Sequence, residues 1–197
     1  MWALVCEFRQ RNISMAFCLT ADLGQAALPG LITHLRKSPH SRVCLFVNTV
    51  EDGRKWSNKL GDLIAVADID VFVLEINGEM DKNEKCAVAR LFTNATRLAG
   101  LSPCVLVGTS AANHGIDQPD TDLVLRSGTA RGVITVLQER GRNCRKPGTS
   151  GCYDVYFGWR NVTNAAIGVL TGHKSSAGSS DCAGMNSVIA SLTNQEQ

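Results

Sequence analysis

The stretch VLVGTSAANHGIDQPDTDLVL, residues 105–125, places two short apolar runs on either side of a polar loop. Each apolar run is bounded by polar or turn-forming residues and has the length of a buried strand. In the loop, Gly115 allows a ligand to approach the backbone closely, and the carboxylate of Asp117 can accept hydrogen bonds from ribose hydroxyls. Two ordinary turns, with Asp117 as a local cap, account for the same residues. The stretch therefore predicts a strand–loop–strand unit with a candidate binding loop.

The rest of the chain alternates strand-like and helix-like patterns. Strand-length apolar runs occur at 42–47, 70–76, 103–108, 121–126 and 152–157, and 12–19 is predicted as one more strand at a sheet edge. Amphipathic patterns that predict helices occur at 22–37, 51–66, 81–92 and 129–141. Such alternation predicts an α/β fold with a parallel sheet and helices on both faces. Ligands of such sheets bind at the carboxyl ends of the strands, where the loop described above is expected to lie.

Length and charge limit the domain organisation and the partners. The 197 residues predict one α/β domain over residues 1–160, followed over 161–197 by a short helix and a Ser- and Gly-rich flexible tail. Twenty Lys and Arg against 18 Asp and Glu give a formal net charge of +2. A polyanion would therefore be bound by a local patch of the surface rather than by a field of the whole molecule.

The cysteines and the apolar runs bear on metal sites and location. The eight cysteines are scattered, with no C-x-x-C pair, and several lie in apolar runs where Cys acts as a small hydrophobic residue. This spacing predicts no zinc site and a reducing, intracellular location. No apolar run approaches the roughly 18 residues of a membrane span, and the apolar start lacks the basic region of a signal peptide. We therefore expect a soluble protein.

The octamer QERGRNCR, residues 138–145, gathers Arg140, Arg142 and Arg145 at the end of a predicted helix. A guanidinium keeps its proton near neutral pH and presents a fork of donors that suits phosphate oxygens. A solvated helix end, where cations complement the macrodipole, accounts for the same pattern. An unrelated enzyme that uses the Cys144 thiol is a further alternative, because neighbouring cations can lower the pKa of a thiol. No His–Cys pairing is evident from the spacing.

Taken in order, the segments resemble the motifs of superfamily-two helicases. GTSAANHGIDQPD (108–120) and QERGRNCRKPG (138–148) are similar to motifs V and VI, in particular those of the RecQ family, AT-x-AFGMGID-x-PD and QE-x-GRAGRDG. Upstream, 42–60 resembles motif IV with its helix, 76–92 resembles the family's YHAGM segment, and 10–17 resembles its R-x-N-I/L stretch. The resemblance covers roughly residues 9–160 in the correct order.

The resemblance implies the second RecA-like lobe, of the P-loop NTPase type but without its own P-loop, of an ATP-dependent 3′-to-5′ DNA helicase. Arg145 would be the arginine finger with Arg142 in support, and Arg140 would face solvent or the bound strand. The remaining implied contacts are to ATP from Gly115, Asp117 and Gln138, and to the backbone of single-stranded DNA from Asn48, Thr49, Gly78, Thr109 and Ser110. For a eukaryotic source it also implies the nucleus and a role in DNA repair or recombination.

The sequence departs from a complete helicase in several places. The 197 residues contain no G-x-x-x-x-G-K-[ST] loop and no DE-x-x box. We therefore expect ATP and Mg²⁺ to be held mainly by a separate N-terminal lobe, in the same chain or another, and this chain alone to be inactive. Cys144 replaces the glycine between the two motif VI arginines, and Lys146 replaces the aspartate after them. The chain is expected to be a fragment of a longer enzyme or a stand-alone remnant, and a non-catalytic nucleic-acid-binding or regulatory module is the alternative.

Overall fold

The computed structural model describes residues 2–6, 13–38, 40–94, 103–113, 121–130, 132–143, 149–159, 161 and 163. Within them the strands are β1 (Trp2–Cys6), β2 (Ile13–Leu19), β3 (Arg42–Phe46), β4 (Phe72–Ile76), β5 (Cys104–Gly108), β6 (Thr121–Ser127) and β7 (Gly151–Phe157). The helices are α1 (Leu23–Lys37), α2 (Val50–Ala67), α3 (Lys82–Asn94) and α4 (Val133–Arg140), with a short 3₁₀ helix at Ser110–Asn113. Most of the predicted tail, 161–197, lies outside the described residues.

The strands form one sheet in the order β1-β2-β7-β6-β3-β5-β4. Strands β2 to β7 are parallel to one another, which confirms the predicted parallel sheet. The edge position predicted for 12–19 is wrong, because β2 lies between β1 and β7 and pairs antiparallel with β1. The sequence analysis did not count β1 among the strands, although its run is as long as those of β3, β4 and β5.

Helices cover both faces of the sheet, as the sequence predicts. Leucines of α1 and the buried Trp56 of α2 pack on one face, against Val43, Leu45 and their neighbours. Phe92 of α3 and Val136 of α4 pack on the other face. Each buried side chain of this size stabilises the fold by about 1.5–3 kcal/mol relative to exposure, so the two apolar layers hold the sheet between the helices.

Local signals in the sequence explain where the helices begin. The Asp22 side chain accepts a hydrogen bond from the Gln25 amide at 3.1 Å and caps α1, and Asp81 caps α3 in the same way through the amide of Glu84. Helix α4 begins at Val133 rather than at the predicted 129, because the residue before it, Gly132, has an extended backbone (φ −179°, ψ 173°) and is the N-cap. Among the described residues, no helix combines the length and apolarity needed to cross a membrane.

Candidate functional site

The carboxyl ends of β3, β5 and β4 meet at one edge of the sheet. These three strands are adjacent and parallel. Backbone hydrogen bonds join the residues that follow them, from the amide of Val47 to the carbonyl of Gly108 at 2.9 Å and from the amide of Thr109 to the carbonyl of Ile76 at 3.1 Å. The structure therefore brings the loops with all five predicted nucleic-acid contacts to one place: Asn48, Thr49, Gly78, Thr109 and Ser110.

Two of these five residues have a local structural role. The hydroxyl of Thr49 accepts a hydrogen bond from the Asp52 amide at 3.0 Å and caps α2. Thr109 is only 7% exposed, and its hydroxyl accepts a hydrogen bond from the amide of Ala111 at 3.4 Å at the start of the 3₁₀ helix. Ser110 and Gly78 are exposed. At this edge, Ser110, Gly78 and Thr49 are therefore open to a ligand, whereas Thr109 shapes the turn below them.

The turn after β4 is fixed by Asn77, which the sequence analysis did not single out. Asn77 is 7% exposed, and its amide oxygen accepts a hydrogen bond from the backbone amide of Glu79 at 2.9 Å. The ammonium of Lys85 donates to the carbonyl of Gly78 at 3.4 Å, and Arg54 of α2 forms an exposed ion pair of 2.6 Å with Glu79. The same edge of the sheet thus carries exposed backbone, Lys85 and the Arg54–Glu79 ion pair, and cationic side chains beside exposed backbone suit a phosphate chain.

The predicted nucleotide residues lie in a second place, on and after α4. Gln138 is exposed and Arg142 is half-buried. Asn143 forms a bridge to Thr121, the first residue of β6, and its side-chain amide donates to the carbonyl of Cys152 at 2.6 Å. The segment therefore runs from the carboxyl end of β6 back towards its amino end. Gln138 and Arg142 lie along this path over one face of the sheet.

Arg140 lies differently from the sequence prediction. Its side chain is half-buried rather than facing solvent or a bound strand, and its Nη1 lies 3.9 Å from the sulfur of Met15 on β2. The guanidinium group packs on the sheet because α4 lies against the strands on this side, and its aliphatic stem can cover apolar surface.

A buried ion pair attaches α4 to the sheet. Glu139 is fully buried and Arg126 is 2% exposed, and Arg126 Nη1 donates to Glu139 Oε1 at 2.5 Å. Arg126 Nη2 donates to Asn48 Oδ1, and the hydroxyl of Tyr153 donates to Glu139 Oε2 at 2.9 Å. Burial and the Glu139 charge raise the pKa of Tyr153, so its hydroxyl remains a donor. One network thus joins the loop after β3 to α4.

The sequence analysis did not identify Arg126 or Glu139 as functional residues. The only signals are a charged residue near the end of a buried strand and a glutamate next to Gln138. Their pairing depends on α4 packing over β6, which the sequence pattern does not specify.

Three predicted residues, Gly115, Asp117 and Arg145, lie outside the described residues, as does Cys144.

Burial raises the pKa of the Cys44 thiol to about 12, although the Thr121 hydroxyl and the charge of Arg142 act to lower it. Cys44 is therefore a core thiol that is protonated near neutral pH. Over the part of the chain that the structure describes, no three His, Cys, Asp or Glu side chains are grouped as metal ligands would be.

Comparisons with known proteins agree with this fold. Residues 25–146, more than half of the chain, match the family described as helicase conserved C-terminal domain. No curated protein matches the sequence significantly.

Solved structures of helicases share the architecture. The second domain of the DEAD-box helicase Mss116p, bound to an RNA duplex, has a TM-score of 0.60 at 20% identity, over 75% of this chain and 55% of that one. E. coli DEAD-box protein SrmB, bound to the regulator RraA, has a TM-score of 0.53 at 24% identity, over 84% of each chain. Mycobacterium smegmatis helicase Lhr, bound to single-stranded DNA and AMP-PNP, has a TM-score of 0.57 at 16% identity, over 78% of this chain and 20% of that one.

These structural likenesses, all below 25% identity, show the RecA-like fold alone. This chain spans only about half of the Mss116p chain and a fifth of the Lhr chain. The parallel sheet covered on both faces agrees with the family match over most of the domain. The chain belongs to the helicase conserved C-terminal domain family and has a RecA-like fold.

Proposed function

We propose that this lobe serves an ATP-dependent, RecQ-like DNA helicase that moves 3′ to 5′, and that it supplies half of a channel for single-stranded DNA. The observation that carries the proposal is the convergence of the loops after β3, β4 and β5 at one edge of the sheet. That edge presents exposed Ser110 and Gly78 beside the cations Arg54 and Lys85. Contacts of this type hold a phosphate backbone with little dependence on base sequence.

The second part of the proposal concerns ATP. Mg²⁺ and the phosphates are held mainly by an N-terminal P-loop lobe, and this lobe contributes Arg145 as the arginine finger, supported by Arg142 and Gln138. A guanidinium near the transferring phosphoryl group stabilises charge that develops in the transition state. The fixed path of the backbone from α4 to Asn143 supports this role, because it holds the segment that leads to Arg145 against β6 and β7.

The DNA-binding part is tested with the isolated chain. We expect weak binding of a fluorescent dT oligonucleotide by anisotropy, with a slope of log affinity against log salt of about −1.5 to −2 for two or three phosphate contacts. Ser110→Glu should weaken the binding about fivefold, because it adds a negative charge at the proposed path of the strand. Val66→Glu is the matched control, since Val66 is 85% exposed near the end of α2, at the opposite edge of the sheet.

Two results would contradict this proposal. Equal losses of affinity in Ser110→Glu and Val66→Glu would show that net charge matters rather than the carboxyl edge. Tight, salt-insensitive or sequence-specific binding would favour a regulatory module. Parallel titrations with an RNA of the same length and with duplex DNA measure the preference for single-stranded DNA.

A further inference from the structure

The buried network around Arg126 connects two regions with different proposed partners. Asn48 lies at the carboxyl edge, next to the proposed path of the DNA strand, and Glu139 lies on α4 next to Gln138. Arg126 uses one terminal nitrogen for each of them, Nη2 for Asn48 and Nη1 for Glu139. Since a guanidinium is planar and rigid, a rotation that follows one partner must move the donor that faces the other.

The packing around this network leaves little freedom for independent movement. Arg126 is 2% exposed, Glu139 is fully buried, and the Tyr153 hydroxyl occupies the second carboxylate oxygen. On the other side of Asn48, a Cβ atom built on Gly128 would lie only 2.8 Å from the side-chain nitrogen of Asn48. The half-buried Asn48 thus lies between Gly128 and Arg126, so a change in its orientation alters its bond to the guanidinium.

We propose that Arg126 is a positioning residue that couples occupancy of the loop after β3 to the placement of α4. A phosphate chain at Asn48 and Thr49 then fixes the Asn48 side chain, and through the fork of Arg126 it fixes Glu139 and the helix that carries Gln138. The coupling rests on the proposed function, because that function assigns the DNA strand to the loop. The network itself consists of contacts within the chain.

The first test measures hydrogen exchange of the α4 peptide in the full 197-residue chain, with and without a dT oligonucleotide of about 12 nucleotides. In the wild type, we expect saturating DNA to slow exchange in α4 about threefold or more. Arg126→Lys should bind DNA within about threefold of the wild type but lose this slowing. A lysine keeps the positive charge for Glu139, yet its single ammonium group cannot reproduce the fork to two partners.

Two further variants separate coupling from folding. Trp56→Phe is the matched control, because it removes a buried 3.0 Å hydrogen bond to Ser127, the neighbour of Arg126, and should leave the slowing intact. If Arg126→Lys does not fold, Arg126→Gln combined with Glu139→Gln removes both buried charges together and should fold without the slowing. Slowing of α4 that persists in either Arg126 variant would overturn the proposal.

The second test needs no DNA. Asn48→Ala and Glu139→Gln, singly and together, form a double-mutant cycle of urea unfolding. Both residues bond to Arg126, so the effect of the double variant should differ from the sum of the two single effects. We expect a difference of at least about fivefold in the unfolding equilibrium constant, roughly 1 kcal/mol. Additive effects would refute the coupling. Failure of every variant and of the wild type to bind dT would count against the proposed function, while the cycle would still decide the coupling.

Discussion

Asp154 gives the sharpest test of how this sheet is packed. It lies in the middle of β7, opposite Ala16 of β2 and Leu125 of β6, on the face that α1 covers. Burial raises the pKa of Asp154 from 3.8 to about 6. Its charge also acts on the neighbouring Cys18 and Tyr156, and it contributes to the raised pKa of each. The ionised form is therefore disfavoured in the folded protein.

The effect on stability follows from this pKa. Because the folded-state pKa lies above the unfolded value, the contribution of Asp154 to stability is fully present below pH 3.8 and is lost as the pH rises through 6. A shift of about 2 pKa units at 1.36 kcal/mol each corresponds to about 3 kcal/mol. Asp154→Asn removes this pH dependence. We therefore compare the free energy of unfolding of the variant with that of the wild type at each pH. This difference should be up to about 3 kcal/mol more favourable to the variant at pH 7.5 than at pH 4.

The measurement is urea unfolding at several pH values between 4 and 7.5, followed by tryptophan fluorescence. The difference between Asp154→Asn and wild type should grow between about pH 4 and pH 6 and then remain constant. Asp62→Asn is the control for the change of net charge, because Asp62 is an exposed aspartate on α2. A pH-independent difference for Asp154→Asn, or a loss of stability at pH 7.5, would refute the argument that the half-buried Asp154 is desolvated on the face that α1 covers.

Three further predictions concern glycines and the arginines. Gly128→Ala should destabilise the fold by about 2–3 kcal/mol in urea unfolding, because Gly128 has a φ of +86° and its new Cβ atom would lie too close to Asn48. Gly30→Ala is the control: a Cβ atom at Gly30 has no atom within 4 Å, so this variant should be neutral or stabilising. Gly108→Ala should cost about 1–3 kcal/mol, since its Cβ would lie 2.5 Å from that of Ala112; a stability equal to wild type would contradict this close packing. In an enzyme that includes the P-loop lobe, Arg145→Ala should lower ATP turnover by on the order of 10³-fold with DNA binding intact, and Arg140→Ala should be far milder; equal losses would remove the finger role of Arg145.

The fold could be predicted from the sequence because its signals are local. Every strand from β2 to β7 is an apolar run of strand length, and every helix carries a periodic apolar face. The parallel arrangement follows from their alternation, and it also explains why the loops after β3, β4 and β5 were correctly expected to lie together. Strand β1 was missed although its apolar run is as long as those of β3, β4 and β5.

The roles of hydroxyl groups could not be predicted in the same way. Thr49 and Thr109 follow strands at the carboxyl edge, as a phosphate-binding residue would. In the structure both hydroxyls accept hydrogen bonds from backbone amides at helix starts, at 3.0 and 3.4 Å. A threonine hydroxyl can bond to a helix amide or to a phosphate with the same atoms, so residue type and position do not distinguish the two.

The ion pair between Arg126 and Glu139 explains how one orientation of α4 is selected. Val136 and Glu139, three residues apart, form the buried face of the helix, and Leu137 and Gln138 are exposed. Apolar residues alone would permit the helix to rotate or slide, because one methyl group packs much like another. The buried Glu139 carboxylate pairs with Arg126 and accepts a hydrogen bond from Tyr153, and removing the cation from such a pair costs about 3–5 kcal/mol. Such a pair adds little net stability compared with apolar residues of the same size, but it raises the free energy of every placement of α4 that separates Glu139 from Arg126. The proposed position of Gln138 and Arg142 relative to the nucleotide therefore depends on Arg126 of β6, although Arg126 itself is not proposed to contact the nucleotide.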